Sequence, residues 1–330
     1  MDFRSLGSAG VKVSPLCLGT MMFGAWGNPD HQECIRIIHQ ALDRGINFID
    51  TANMYSDGES EEIVGKALEG RREEAVLATK VRFSMGDGPN QMGLSRKAIQ
   101  EQVEHSLRRL RTDVIDLYQI HRLDPSTPWE ETLSTLDDLV RQGKVRYIGC
   151  STNHYDEPEQ RRLDAWEIVD TLWLCQQRGW ERFVSLQPPY SILRRIMENE
   201  HFPMTRRFGL ANIVWSPLEG GWLTGKYRHA HGNPEDSPRA KNWVGDLGNP
   251  TFERRLKVVE ELVSMVEGRS FSLAELSLAW VLKNPEVTAA IIGPRTEEQL
   301  SSSLAALEIE ISDEELERID HLVPPGSSVL

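Results

Sequence analysis

The sequence predicts an α/β protein, a closed (β/α)8 TIM barrel with an N-terminal β-hairpin plug, on three observations. About eight short apolar runs of β type alternate with helix-type segments, the mark of stacked βα units around a parallel sheet. No Ser/Gly linker or charge run divides the 330 residues, and no repeat of roughly 20–50 residues is visible, so 1–330 reads as one domain. The first barrel run is not followed by G-x-G-x-x-G, which counts against the nearest alternative, a doubly wound open sheet.

In chain order, Phe3–Leu6 and Val11–Val13 flank Gly7-Ser8-Ala9-Gly10 and predict a hairpin under the barrel floor. The eight barrel runs follow: Leu16–Leu18, Asn47–Asp50, Val76–Lys80, Val114–His121, Val145–Ser151, Phe183–Gln187, Ile213–Pro217 and Ala289–Gly293. Several are continuous apolar stretches, as strands buried on both faces require. Between them, His31–Arg44, Glu59–Glu69, Ser95–Arg111, Trp129–Gln142, Pro158–Gly179 and Phe252–Glu267 predict helices. In the third, Ile99, Val103, Leu107 and Leu110 share one face, while Arg96, Lys97, Glu101, Glu104 and Arg108 line the other. Gly45, Gly70 and Gly143 follow three of these helices, where a left-handed residue turns the chain toward the next strand. Trp166, Trp173 and Trp180 recur every seventh residue and predict a packed helix face.

Composition narrows the function. With 37 Lys+Arg against 50 Asp+Glu the formal charge is −13, which disfavours nucleic acid and anionic membranes as partners. Cys17, Cys34, Cys150 and Cys175 are scattered without a C-x-x-C pair, so neither a disulfide framework nor a metal site is expected, and a reducing cytoplasm fits. Met-Asp-Phe-Arg lacks a basic region leading into an apolar one, and the longest uncharged stretch, Val13–Pro29, is broken by Pro15 and several glycines. No secretion signal or membrane span is expected.

In such a barrel the working face lies at the carboxyl ends of the strands. Asp50, Lys80 and His121 each end an apolar run, and Tyr55 lies five residues beyond Asp50. A phenol keeps its proton at neutral pH, and a nearby ammonium stabilises the phenolate left when the proton is given up. Lys80 would do this for Tyr55, Asp50 would hold Lys80 charged, and His121 could hydrogen-bond a substrate oxygen that gains negative charge. Taken singly, each has a bland reading: a buried ion pair, a core imidazole, a loop aromatic. Four complementary groups on neighbouring strand ends carry a desolvation cost that a purely structural rim has little reason to bear.

Asp50-Thr51-Ala52-Asn53-Met54-Tyr55, then Ser56 to Glu61, resembles the D-T-A-x-x-Y segment of the aldo-keto reductases, with Ala78-Thr79-Lys80 and Ile120-His121 in register. The resemblance covers nearly the whole chain. It implies that Tyr55 is the general acid and that Asp50, Lys80 and His121 complete a tetrad for reducing a small aldehyde or ketone. It also implies a nicotinamide dinucleotide as hydride source. Thr20 and Met21 at the first strand end, Asp50, Ser151, Asn153, Gln187 and Trp215 would then face the nicotinamide half, with Trp215 stacking on the ring. Here the family's Ser-Asn reads Ser151-Thr152-Asn153, so either Thr152 or Asn153 completes the carboxamide contact.

Ser216-Pro217-Leu218-Glu219-Gly220-Gly221-Trp222-Leu223-Thr224-Gly225-Lys226 is close to the family's S-P-L-x-x-G-x-L-t-G-K stretch. Gly221 and Gly225 would admit the diphosphate, with Lys226 and Arg239 adding positive charge. Gly232–Gly248 reads as a mobile loop able to close over it. Gly293, Arg295 and Gln299 open the last βα unit; from spacing alone Arg295 reads as an exposed loop charge, and it is the resemblance that implies Arg295 facing a 2′-phosphate, hence NADPH (NADP+) rather than NADH. Ser302 and Ser303 stand where the family often has Glu-Asn to hold the adenine. Met21, Met22, Phe23, Trp26, Phe83, Met85 and Trp222 could line an apolar substrate pocket, although loop packing is the simpler reading for most. The resemblance extends to potassium-channel β subunits, so a cofactor-sensing subunit with little turnover is the alternative. A metal-dependent hydrolase is disfavoured by the lack of a strand-end His-x-His.

Overall fold

The computed structural model describes residues 1–153, 162–228 and 252–329. Two short antiparallel strands, β1 (Arg4–Ser5) and β2 (Lys12–Val13), form the expected hairpin. Eight parallel strands follow: β3 (Leu16–Gly19), β4 (Phe48–Asp50), β5 (Val76–Val81), β6 (Ile115–Ile120), β7 (Val145–Ser151), β8 (Phe183–Gln187), β9 (Ala211–Val214) and β10 (Ala289–Ile292). They close in chain order, with β10 pairing both β9 and β3, as a (β/α)8 barrel requires.

The barrel interior divides by height. Cys17, Phe48, Val76, Ala78, Leu117, Val184, Ala211, Ile213 and Ala289 fill the lower part, and Leu6 and Val13 of the hairpin join them. Gly7, in left-handed backbone at φ 59°, lets the hairpin lie against the floor: a Cβ there would stand 2.7 Å from the Ala211 nitrogen. Higher up, the inward residues are Asp50, Lys80, Gln119, His121 and Gln187, all buried. The change from apolar to polar marks the working rim.

The outer ring consists of α1 (His31–Asp43), α2 (Glu59–Ala67), α3 (Arg96–Leu110), α4 (Trp129–Arg141), α5 (Ala165–Arg178), α6 (His201–Phe208), α7 (Glu253–Val266), α8 (Leu273–Lys283), α9 (Glu297–Ala305) and α10 (Asp313–Leu322). Each helical segment expected above is present, with three differences in placement. First, β9 runs over Ala211–Val214, not to Pro217: Ser216 takes a left-handed φ of 55° and Pro217 has no amide hydrogen, so the ladder stops early. Its start was hidden by the polar Asn212, whose amide donates to Thr205 Oγ1 (2.7 Å) and the Glu286 carbonyl (2.9 Å).

Second, α5 begins at Ala165, where Asp164 and Glu167 form a capping box: of the longer expected helix, residues 162–164 are not helical and 158–161 lie outside the described residues. Third, its tryptophans do not pack: Trp166 is 58% and Trp173 50% exposed, because Ala165, Ile168, Leu172 and Cys175 take the inward face. The helix α8 gave no amphipathic signal because Leu276 through Leu282 are all buried, so it has no polar stripe. The four cysteines are free and buried. Gly232–Gly248 and Arg239 lie outside the described residues.

Candidate active site

Asp50 ends β4 and Lys80 lies one residue before the end of β5, so parallel pairing brings both to the rim. The Lys80 ammonium is fully buried and makes three hydrogen bonds: to Asp50 Oδ1, to the Thr51 carbonyl (2.8 Å) and to the Tyr55 hydroxyl oxygen (3.2 Å). Every N–H of the ammonium therefore has an acceptor. Tyr55 is presented by the short helix Tyr55–Gly58, in which Ser56 and Asp57 adopt left-handed backbone (φ 48° and 54°). Ser56 Oγ anchors that turn to the Phe23 carbonyl at 3.1 Å.

Asp50 is shared further. Its Oδ2 accepts from Gln187 Nε2 (2.9 Å) and Gln119 Nε2 (3.2 Å), and the two glutamines also meet each other at 3.3 Å. Gln119 was absent from the expected site, although it alternates with Leu117 and His121 along one strand and so had to face the same side. His121 follows β6, with its backbone N–H donating to the Val81 carbonyl. Its ring meets that of Tyr55 edge-on at 5.7 Å and that of Phe83 at 4.9 Å. Thus the four tetrad side chains expected from sequence lie together.

Burial opposes the charge on Lys80, but Asp50 and then Tyr55 outweigh it and hold the ammonium above its ordinary range. Burial pushes the Tyr55 phenol above about 10, partly offset by Lys80. The His121 imidazole is driven well below its ordinary range, first by burial and then by Lys80, Arg122 and Arg82, so it is neutral at neutral pH. The arrangement therefore holds a protonated phenol, a cation against its oxygen and a neutral imidazole alongside.

The remaining expected positions ring this centre. Ser151 Oγ donates to the Gln187 carbonyl (2.9 Å), and the Gln187 amide is committed to Asp50 and Gln119 through its nitrogen. Thr152 Oγ1 both donates to the Leu163 carbonyl and accepts from the Leu163 N–H, at 2.9 and 3.1 Å. Asn153 is buried beside it. Thr20 Oγ1 is tied to the Asp50 carbonyl (3.2 Å) and Ser60 Oγ (2.8 Å), and Met21 begins the turn after it. Trp215 follows β9, with the Arg122 guanidinium 5.5 Å above its ring.

Beyond Trp215 the chain takes left-handed backbone at Ser216 (φ 55°), Glu219 (46°), Gly220 (63°), Gly221 (100°) and Gly225 (73°), while Pro217 and Leu223 are buried and Leu218 packs on the core. A Cβ on Gly221 would stand 2.9 Å from Lys226 Cε, so glycine there keeps the ammonium beside the loop backbone. The Glu219 carboxylate is turned away into a buried pair with Arg194 (2.8 Å) and accepts from Ser191 Oγ (2.9 Å). These features fit a phosphate-bearing ligand: glycines in left-handed backbone, a lysine and a neutralised acid.

At the far end, Gly293 is exposed and α9 is capped by Thr296. The Arg295 N–H donates to Gln299 Oε1 (2.8 Å), and its carbonyl accepts from Asn28 Nδ2 (3.1 Å). Ser302 Oγ donates to Glu275 Oε1 and Ser303 Oγ to the Gln299 carbonyl, both at 2.9 Å. Of the loop aromatics, Trp26 and Phe83 reach the centre: Trp26 stands 6.2 Å from Tyr55. Trp222 instead is buried against Tyr227 and Phe252. Among the described residues no group of three or more His, Cys, Asp or Glu side chains is arranged to hold a metal ion, and no helix is long and apolar enough to cross a membrane.

Fold and rim together define a class: parallel eight-stranded barrels with a buried phenol–ammonium–carboxylate set and an imidazole at the carboxyl end. The chain belongs to the aldo/keto reductase family, whose model matches residues 15–324. It is 40% identical over 338 residues to an uncharacterized oxidoreductase, YrpG, of Bacillus subtilis (strain 168), covering 99% of this chain and 97% of that one. It is 35% identical to a probable voltage-gated potassium channel subunit beta of Oryza sativa subsp. japonica (94% and 92% covered). It is 31% identical to versiconal hemiacetal acetate reductase of Aspergillus parasiticus (98% of each). Family and relatives make the protein an oxidoreductase and support carbonyl reduction in general, in a family that generally uses nicotinamide cofactors.

Proposed function

We propose that the protein reduces an aldehyde or ketone to the alcohol with NADPH, reversibly, and that Tyr55 supplies the proton to the carbonyl oxygen. The observation that carries this is the Lys80 ammonium held between Asp50 and the buried Tyr55 hydroxyl at 3.2 Å. As the phenol gives up its proton, Lys80 stabilises the phenolate; Asp50 keeps Lys80 charged and in place. The neutral His121 N–H hydrogen-bonds the substrate oxygen as negative charge gathers there. Run backwards, the same groups accept the alcohol proton.

The bound cofactor supplies the hydride, which no side chain here can give. Ser151, Asn153 and Gln187 would hold its carboxamide, Asn153 being favoured because the Thr152 hydroxyl is committed to Leu163. Thr20, Met21, Asp50 and Trp215 would border the nicotinamide. Ser216, Pro217, Leu218, Gly221, Gly225, Lys226 and Arg239 would hold the diphosphate, and Gly293, Arg295 and Gln299 the adenosine end, with Arg295 selecting the 2′-phosphate. The channel-subunit relatives motivate a second reading, a cofactor sensor with little turnover. The buried neutral imidazole facing the phenol favours the enzyme, because a sensor needs no group for a substrate oxygen.

Replacing Tyr55 by Phe tests the assignment. NADPH binding, followed by tryptophan fluorescence, is expected to persist while reduction of a panel of aldehydes falls by about 10²–10⁴-fold. Unchanged turnover in Tyr55→Phe would overturn the proton-donor role. Tight NADPH binding by the wild-type protein with no turnover on any aldehyde, ketone, sugar or quinone would establish the sensor instead.

A further inference from the structure

We infer that the carbonyl substrate bears a carboxylate and that Arg82 binds it; this rests on the reductase reading above and names the substrate class. Arg82 follows β5 directly, two residues beyond Lys80. Its guanidinium lies over the Phe83 ring at 5.2 Å, and that ring packs edge-on against His121 at 4.9 Å. The cation therefore stands just outside the groups that would meet the carbonyl.

Arg82 is half-buried, and its Nε is shut off from solvent with no acceptor. Among the described residues no carboxylate, carbonyl or hydroxyl accepts a hydrogen bond from its guanidinium. Other withdrawn arginines are paired, Arg72 with Asp116, Arg109 with Glu61, and the buried Arg195 with Glu198 and Asp320, whereas Arg228 shares with Arg82 a shut-off Nε that has no acceptor. In a chain with 50 acidic residues and a charge of −13, a withdrawn guanidinium without a carboxylate is a specific cost. A second cost adds to it, because Arg82 takes a φ of 152°, a backbone region that favours glycine. Both costs fall on one residue at the mouth of the site, and a ligand carboxylate would offset the first through the two parallel bonds a guanidinium can make.

The surroundings carry the same sign. Arg122, on the other side of His121, donates to the His121 carbonyl (2.8 Å) and Ser151 Oγ (3.2 Å), and Lys80 lies beneath. Phe83 and Trp26 supply apolar walls beside this positive edge. Such a pocket suits a flat or extended carbonyl compound with an acid group at its far end.

The test compares 4-carboxybenzaldehyde with methyl 4-formylbenzoate in wild type, Arg82→Met and Arg82→Gly. The acid is expected to exceed the ester in kcat/KM by about ten- to a hundredfold in wild type, mainly through KM, and both variants should bring the ratio close to one. In parallel, 4-(hydroxymethyl)benzoate and its methyl ester are titrated into the protein with NADP+, read by tryptophan fluorescence; the acid's advantage should vanish in both variants. Arg82→Gly relieves the backbone, so a thermal midpoint at or above wild type shows that the loss is not unfolding. Equal handling of acid and ester by wild type, or a preference that survives both substitutions, overturns the inference while leaving the reductase reading intact. If neither aldehyde is consumed, the binding preference alone decides whether Arg82 holds a carboxylate, and the reductase reading is decided separately by the wider panel above.

Discussion

Lysine carries three protons on its ammonium, and Lys80 spends one each on a carboxylate, a backbone carbonyl and a phenol. That full commitment fixes where the Tyr55 oxygen sits. His121 has the opposite character, since burial and its cationic neighbours keep it neutral. His201, buried against the Leu163 carbonyl, is likewise held below its ordinary range by burial. The folded chain keeps both rings neutral, whereas the unfolded chain takes up protons below about pH 6.5, so stability is lost as pH falls from there toward the folded pKa values. Urea titrations from pH 7 to 5 should show this loss, at most about 1.4 kcal/mol per pH unit for each ring, and His121→Gln should flatten the slope. An unchanged slope would show that His121 titrates normally. Asp50, Lys80, His121 and Tyr55 were legible in the sequence because three end apolar runs and the fourth follows one. Arg82 was not, because lacking a partner is a property of the packed chain and leaves no mark on spacing.

Of the three tryptophans expected on one packed face, Trp166 and Trp173 lie on the outer side of α5, whereas Trp180 follows the helix and packs partly on the core. Ile168, Leu172 and Cys175 recur on the competing face, and these smaller side chains fit beneath the helix where indoles would not. Replacing Trp166 or Trp173 by Gln should change the unfolding free energy by less than about 0.5 kcal/mol, whereas Ile168→Ala should cost about 2–5 kcal/mol. Denaturant midpoints at constant slope check both, and a large loss at either tryptophan would mean that the exposed face is covered in solution. Strand positions were read more closely than helix faces because a parallel barrel strand is apolar on both sides. Where that rule fails, as at Asn212 in β9, the boundary slipped by two residues.

For the molecule as a whole, the division of the barrel into an apolar lower half and a polar rim was legible in outline, since hydrophobic runs ended in charged residues. The hairpin's role followed from Leu6 and Val13 flanking a tight turn, and both are fully buried in the lower core. Leu6→Ala should therefore lower stability by about 2–5 kcal/mol while leaving cofactor binding within about twofold, because the cavity opens far below the rim. Calorimetry with a cofactor titration tests this, and a large loss of binding would mean that floor and rim are coupled. Legibility ended at the loops, whose shape depends on left-handed turns such as Ser56 and Glu219 that no periodicity announces. The stopper formed by residues 4–13 has a kinetic corollary. Because packed side chains close the lower end, anything that binds at the rim must come and go from that side alone.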